Sequence, residues 1–147
     1  MAGRIITELN HSVIIACEEK HLSRIRTVLP AASPIGVVAS SDMLDVALLM
    51  NEASLVVGND SGPLHLAAAL GIPTVGMYGP ASPALTGPLN SRGLYLYHKV
   101  ECSPCDQRMC IRPENPCMGL HEVDQVFREV ARLLQGQFAE ELSTSNV

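Results

Sequence analysis

The sequence contains 147 residues, carries a formal net charge of −5 and is 47% hydrophobic with only 3% aromatic residues, which fits one domain with an aliphatic core. Because acidic residues outnumber basic ones and no long Lys/Arg cluster occurs, nucleic acid is disfavoured as a partner. No apolar run of about 18 residues predicts a membrane span and no signal-peptide pattern is present, so we expect a cytoplasmic protein without a disulfide framework.

Helical and strand patterns alternate along the first part of the chain. Residues 2–10 match the end of a short amphipathic helix, and the β-branched run at 13–17 predicts a buried strand. A helix is predicted to end near residue 29, followed by a short strand over 35–38 and a capped helix over 43–52. This alternation indicates an α/β domain with a parallel sheet.

The same alternation continues to the end of the chain. The apolar run at 55–58 predicts a fully buried strand, an Ala- and Leu-rich helix follows over 64–70, and 74–78 form another strand. Residues 93–98 alternate as a last strand, and apolar residues at helical spacing predict a closing amphipathic helix over 122–134. The sequence thus predicts a doubly wound, Rossmann-like parallel sheet.

We expect one domain over residues 1–134 and a polar, disordered tail over 135–147. Two carboxylates, Glu18 and Glu19, come directly after the first predicted strand. Doubly wound folds often bind a ribose hydroxyl at such a position. The alternative is a helix whose first turn takes acidic residues for its dipole, and the residues alone leave both interpretations open.

The turn after the strand at 55–58 has the features of an anion site. Asp60 and Ser61 are N-cap candidates. We expect the N–H groups near Ser61, Gly62 and Leu64 to be free, so that these groups and the positive end of the helix dipole would point at a phosphate. Gly62 would let a ligand approach the backbone closely, and His65 could add a hydrogen bond or a positive charge. The alternative is a plain α/β turn with an N-cap Asp.

Four cysteines lie between the last strand and the last helix with the spacing C-x2-C-x4-C-x6-C. Four thiols within this span could form a zinc or iron–sulfur site, or they could be reduced structural thiols. The second pair lacks the C-x2-C spacing, so we assign no metal ligand among Cys102, Cys105, Cys110 and Cys117. Cys17, within a predicted strand, is expected to be a core residue.

The run NDSGPLHLAAALGIP at 59–73, followed by YGPASP and then TGP at 86–88, resembles the donor-binding half of the bacterial lipopolysaccharide heptosyltransferases, glycosyltransferase family 9. The resemblance covers residues 5–134 and is most specific over 59–88. It implies the C-terminal, nucleotide-sugar-binding half of a two-domain GT-B glycosyltransferase. The implied reaction moves a heptose from ADP-heptose to a lipopolysaccharide core acceptor with inversion, without a cofactor.

The resemblance also implies roles for individual residues. The diphosphate would lie at Asp60, Ser61, Gly62 and His65. A ribose-binding Glu is expected at Glu18 or Glu19, and base-side contacts are expected at Ser41 and Asp42, which also fit an ordinary N-cap. The loop from Gly79 to Pro88 would line the donor sugar and phosphates, or it is a plain surface connection.

The sequence departs from the family pattern in two respects. The family's catalytic base lies in an N-terminal acceptor domain, and its donor domain begins with a strand and a Lys-Arg-Trp-Pro stretch; this sequence contains neither and has no Trp. We therefore expect no catalytic residue here, and binding without efficient transfer. The alternatives are a non-catalytic nucleotide-binding or assembly module completed by another chain, and a Cys-metal interaction domain.

In a sheet of order 3-2-1-4-5-6 the first strand is central, and we expect a structural consequence if this sequence starts after that strand. The strands at 13–16 and 55–58 would each lose a neighbour and expose unpaired backbone groups. These two strands could pair directly, a second copy could donate a segment, or the domain could be marginally stable. We expect self-association or low stability.

Overall fold

The computed structural model describes residues 1–88, 92–105, 110, 112, 114 and 116–137. The chain divides into two compact units, Met1–Glu52 and Ala53–Val147. No helix within the described ranges is both long enough and apolar enough to cross a membrane.

The first unit alternates helices with two short strands. Its elements in chain order are α1 (Ala2–Leu9), β1 (Ile14–Cys17), α2 (Glu19–Val28), β2 (Gly36–Ala39) and α3 (Met43–Asn51). β1 and β2 pair in parallel, with Ile14 opposite Gly36 and Cys17 opposite Ala39. All five elements lie where the sequence predicted them, within a few residues.

The prediction that β1 is a buried strand is wrong. Ile14 is 51% exposed, and accessible and half-buried residues alternate along β1. A strand becomes fully buried only when sheet neighbours and helices cover it on every side, and a two-stranded sheet has no interior strand. The buried hydrophobic residues of this unit are Ile5 and Met50. Cys17 is correspondingly half-buried rather than a core residue.

The second unit is a three-stranded parallel sheet with helices packed against it. Its elements in chain order are β3 (Val56–Asn59), α4 (Gly62–Ala69), β4 (Thr74–Tyr78), α5 (Pro83–Thr86), β5 (Gly93–Tyr97), α6 (Pro116–Gly119) and α7 (Val123–Leu134). The strand order is β3-β4-β5, and both pairings are parallel. The single-turn helices α5 and α6 were not predicted, because four residues carry no readable helical period.

The core of the second unit is built around its central strand, β4. Thr74, Val75 and Tyr78 are 0% exposed, and Leu64 of α4 is 1% exposed. α7 adds the buried residues predicted by its helical spacing, Val126, Phe127, Val130 and Leu133. Burial of each such apolar side chain stabilises the unit by about 1.5–3 kcal/mol. By contrast, β3 is half-buried, because it is an edge strand, so the prediction that it is fully buried is wrong.

The two strand orders, β2-β1 and β3-β4-β5, are those of strands 3-2 and 4-5-6 in the expected doubly wound order. β1 and β3 belong to different sheets, so direct pairing of the two, one of the three outcomes considered, does not occur among the described strands. Self-association and low stability stay predictions. Of the expected tail at 135–147, residues 138–147 lie outside the described part of the chain.

Gly76, in the middle of β4, gives a test of this packing. A Cβ atom there would lie 2.8 Å from Tyr78 Cε2, 2.9 Å from Leu64 Cδ2 and 3.1 Å from a Tyr95 ring carbon. We expect Gly76→Ala to lower the free energy of unfolding by about 1–3 kcal/mol, because these rings cannot move without disturbing the core. Gly3→Ala in α1 is the control, since a Cβ there meets nothing within 4 Å; equal melting of both variants would contradict the described packing.

Candidate nucleotide-phosphate site

The turn between β3 and α4 presents backbone donors at the start of a helix. Ser61 is the N-cap residue, and its carbonyl oxygen accepts hydrogen bonds from the N–H groups of Leu64 at 3.0 Å and His65 at 3.2 Å. The prediction of a free Leu64 N–H is therefore wrong, because the first turn tightens around the Ser61 carbonyl. The N–H groups of Ser61 and Gly62 donate to no acceptor among the described residues.

The side-chain position of Gly62, beside these donors, is open. Gly62 is exposed, and a Cβ atom on it would meet nothing within 4 Å. The Ser61 hydroxyl does not cap the helix; it donates to the Asn59 carbonyl at 3.1 Å. A helix N-terminus with unpaired N–H groups and room in front of them is a favourable place for an anion.

Asp60 connects two helices instead of capping one. Its Oδ1 atom lies 3.2 Å from His65 Nε2 in α4, and its Oδ2 atom accepts a hydrogen bond from Thr86 Oγ1 in α5 at 3.3 Å. Its side chain is 24% exposed and that of His65 is 42% exposed. Because both carboxylate oxygens are engaged, Asp60 fixes His65 at the turn, and its predicted N-cap role is wrong.

Thr86 is a site residue that the sequence reasoning did not assign. The TGP turn containing it was noticed, but its pairing with Asp60, 26 positions away, depends on how β3, β4 and α5 come together. A shallow hollow of about 440 Å³ adjoins Thr86 and is lined by Ala81, Ser82, Leu85, Thr86, Pro104 and Cys105. The loop after β4 therefore leaves space beside the turn.

Two tyrosines on the neighbouring strands β4 and β5 pack against each other. The rings of Tyr78 and Tyr95 pack edge-to-face with centroids 5.5 Å apart. Burial raises the pKa of Tyr78 well above its usual range, and the negative charge of Asp60 raises it further. Burial also raises the pKa of the Tyr95 hydroxyl.

These raised pKa values predict alkaline lability. Above about pH 10, where an unfolded tyrosine ionises, the folded chain keeps protons that the unfolded chain loses, so the free energy of unfolding falls as pH rises. Below that pH the folded and unfolded chains bind the same number of tyrosine protons, so the free energy of unfolding no longer depends on pH through these groups. Urea unfolding across this range should show the decline, and Tyr78→Phe should make it shallower; an identical slope in this variant would contradict the assignment.

Gly79, predicted to contact the ligand, is buried against the segment before α7. A Cβ atom there would lie 2.7 Å from Met118 Sδ and 3.0 Å from Cys117 Sγ. His121 Nε2 donates to the Tyr78 carbonyl at 2.8 Å, and the Cys105 N–H donates to the Pro80 carbonyl at 2.6 Å. Packing thus requires a glycine here, and ligand contact through its backbone stays a prediction.

The cysteines differ widely in exposure. Cys117 is buried, Cys102 and Cys105 are half-buried, and Cys110 is exposed. Among the described residues, no three His, Cys, Asp or Glu side chains come together in a way that could hold a metal ion. Cys117 Sγ instead packs beside Gly79 in the loop after β4, which supports the structural interpretation of this thiol.

The remaining candidates lie in the first unit, at the carboxyl ends of β1 and β2. Glu18 is the N-cap residue of α2, and its carboxylate lies 2.6 Å from Lys20 Nζ; this hydrogen bond and charge lower its pKa. Glu19 is exposed in the first turn of α2. Asp42 caps α3 by accepting from the Leu44 N–H at 2.8 Å, so its N-cap role is confirmed. Ser41, beside it, is exposed.

Because β1 and β2 are parallel and in register, Glu18, Glu19, Ser41 and Asp42 share one edge of the two-stranded sheet. In the second unit the structure brings together Asp60, Ser61, Gly62 and His65, and adds Thr86. Gly79 lies at the end of β4, buried under α6.

Comparison with known proteins places these features in a family. The sequence model of glycosyltransferase family 9 (heptosyltransferase) matches residues 3–115. Lipooligosaccharide heptosyltransferase 2 of Campylobacter jejuni is 33% identical over 82 residues, 55% of this chain and 26% of that protein. Lipopolysaccharide heptosyltransferase 2 of Escherichia coli K12 is 42% identical over 69 residues, 43% of this chain and 20% of that protein.

Solved structures agree. The E. coli ADP-heptose LPS heptosyltransferase II superposes with a TM-score of 0.67 at 26% identity, covering 92% of this chain and 40% of that one. A family 9 glycosyl transferase from Veillonella parvula superposes with a TM-score of 0.71 at 22% identity, covering 88% of this chain and 38% of that one. The fold is thus α/β with parallel sheets and matches a portion of a GT-B heptosyltransferase, and the chain spans about a quarter of the length of the curated relatives it matches. The chain belongs to glycosyltransferase family 9, the heptosyltransferase family.

Proposed function

We propose that this chain is the C-terminal, donor-binding half of a heptosyltransferase and binds ADP-heptose by its diphosphate at the β3–α4 turn. The observation that carries the proposal is that the N–H groups of Ser61 and Gly62, at the start of α4, donate to no acceptor in the described part of the chain. The family match includes this turn. The acceptor, a lipopolysaccharide core, would be bound by a further part of the enzyme in the cytoplasm.

The charges at the turn assign different roles to its residues. A diphosphate would be repelled by the Asp60 carboxylate and attracted by the backbone N–H groups, the helix dipole and a hydrogen bond from His65. We therefore assign phosphate contact to Ser61, Gly62 and His65. Asp60 would hold His65 through the 3.2 Å contact.

This arrangement also suggests how the turn would contribute to the reaction rate. Transfer of the heptose leaves negative charge on the departing ADP. Donors that are already oriented stabilise that charge as it develops, without the cost of reorganising water. The turn would thus bind the leaving group more strongly in the transition state than in the ground state.

For the first unit, the family resemblance implies contacts to the ribose and the base. Glu18 is paired with Lys20, and the Asp42 side chain is occupied by the Leu44 N–H. We therefore propose that the Glu19 carboxylate accepts hydrogen bonds from the ribose hydroxyls and that the exposed Ser41 contacts the base. Glu18 remains an alternative for the ribose contact, since an exposed ion pair is weak and readily exchanged.

The short match favours a second possibility for the chain as a functional unit. It spans about a quarter of its curated relatives, so it could be a nucleotide-binding or assembly module that another chain completes. This second possibility would be supported if the chain co-purified with an acceptor-binding chain and only that complex had transferase activity. Activity in the absence of any partner would exclude it.

His65→Ala tests the phosphate assignment. Loss of one hydrogen bond to a charged group should weaken ADP binding by about 1.5–3 kcal/mol. The matched control is His98→Gln, because His98 contacts Gln125 and not Asp60. Calorimetric titration with ADP should show a weaker affinity for the first variant only. Equal affinities for both variants would remove His65 from the site.

A further inference from the structure

The side chain of His121 joins the segment before α7 to the end of β4. Its Nε2 atom lies 2.8 Å from the Tyr78 carbonyl oxygen. Because a carbonyl can only accept, Nε2 carries the proton of the neutral ring and Nδ1 does not. Nδ1 is buried and has no hydrogen-bond partner among the described residues. Since burial of an unpaired nitrogen is costly, the bond from Nε2 is what an imidazole supplies here and an apolar side chain would not.

The imidazole of His121 is held in this orientation by its neighbours. It packs edge-to-face on the ring of His98, with centroids 4.9 Å apart. His98 follows β5, and its Nε2 atom lies 3.1 Å from Gln125 Oε1 in α7. The donor of His121 therefore has a fixed direction toward the Tyr78 carbonyl.

The loop that starts at Tyr78 is held by two further contacts from the same part of the chain. The Cys105 N–H donates to the Pro80 carbonyl at 2.6 Å. A Cβ atom on Gly79 would lie 2.7 Å from Met118 Sδ in α6, so this glycine is closely packed. His121 differs from these contacts, because its bond comes from a side chain and a substitution can remove it without altering the backbone of the loop.

The same loop leads into α5, whose last residue is Thr86. Thr86 Oγ1 lies 3.3 Å from Asp60 Oδ2 and equally 3.3 Å from the Ser82 carbonyl, and its single proton serves only one of them at a time. The bond to Ser82 lies within one helical turn and moves with α5, whereas the bond to Asp60 depends on where α5 lies. Since 3.3 Å is already long for a bond between two oxygens, a small displacement of α5 would leave Thr86 on Ser82 and take one donor from Asp60.

We propose that His121 is a positioning residue for the phosphate site, acting through the Tyr78 carbonyl on the loop after β4. The loop held in this way brings Thr86 to Asp60, and Asp60 holds His65 by the 3.2 Å contact. The inference rests on the proposed function, in which His65 contacts the diphosphate. Without the Thr86 donor, the carboxylate of Asp60 is freer to leave His65 and its charge beside the ligand is less compensated. ADP affinity therefore depends on His121, which does not itself touch ADP.

Calorimetric titration with ADP tests this inference on a matched set of variants. His121→Leu removes the donor and should weaken ADP binding about 3- to 10-fold, the range for residues that act on a site through others. His121→Gln keeps an N–H donor near the place of Nε2 and should restore most of the affinity. Thr86→Val, which lacks the hydroxyl, should weaken binding to a similar degree. In the double variant His121→Leu/Thr86→Val the two losses should not multiply, because both remove the same contact with Asp60.

Thermal melting of each variant controls for damage to the fold. His121→Leu also removes a buried unpaired nitrogen, so we expect it to fold. If it does not, His121→Asn takes its place throughout, because its shorter side chain does not reach the Tyr78 carbonyl. Wild-type affinity without the donor, a loss that His121→Gln does not reverse, or losses that multiply in the double variant would overturn the inference, while ADP binding by wild type would still support the proposed function. Absence of ADP binding by wild type would overturn both.

Discussion

Replacing Gly62 by Val should abolish ADP binding and leave the fold intact. A side chain would fill the open position at Gly62, where in our proposal a phosphate approaches the N–H groups of Ser61 and Gly62. Loss of two hydrogen bonds to a charged ligand corresponds to at least about 3 kcal/mol, or roughly 100-fold in affinity. Calorimetric titration with ADP would measure this loss.

The fold should tolerate this change because a Cβ on Gly62 meets no atom within 4 Å and the residue is exposed in the first turn of α4. Valine costs a few tenths of a kcal/mol there through its lower helix propensity. Gly62→Ala is the graded control, with a smaller side chain and a smaller loss of affinity. Wild-type ADP binding by Gly62→Val would show that the phosphate does not lie at this turn.

A polypeptide of these 147 residues should give no detectable transfer from ADP-heptose to a lipopolysaccharide core acceptor. The matched segment covers 40% of the solved E. coli heptosyltransferase, and the turn supplies stabilisation of the leaving group only. Acceptor positioning and general-base catalysis, which these residues do not supply in our account, together lower the barrier by about 10 kcal/mol in typical enzymes.

The assay needs a positive control, for which lipopolysaccharide heptosyltransferase 2 of E. coli, one of the relatives, is suited. Addition of a separately purified acceptor-binding domain should restore turnover if the chain is a donor half. Robust turnover by the 147-residue polypeptide alone would contradict the account, since it would require a base within it.

Local patterns predicted most of the fold. Among the described residues, the β-branched runs and the amphipathic spacing of α7 located the strands and the longer helices within a few residues, because backbone preference and face-by-face burial act locally. Burial was the weaker prediction. The apolar sequences of β1 and β3 indicated interior strands, but each is only partly covered, and an edge position depends on neighbours that a strand's own residues do not specify.

The site shows the same division between local and long-range information. The turn with Ser61, Gly62 and His65 was predicted from the residues and the family resemblance together, and the structure confirms that these residues form the start of one helix. Thr86 was not assigned, because its relation to Asp60 arises from pairing of distant segments. Asp60 was expected at a cap and is instead a link between helices, which only tertiary contacts reveal.

The most direct measurement is calorimetric titration of the purified chain with ADP, ADP-heptose and a UDP-sugar, repeated with Gly62→Val. The account predicts saturable binding of ADP and ADP-heptose at one site per chain, weaker or no binding of the UDP-sugar, and no binding of either adenine ligand by Gly62→Val. Absence of heat with ADP and ADP-heptose, or the same affinities in Gly62→Val, would contradict the claim that this turn binds the donor diphosphate.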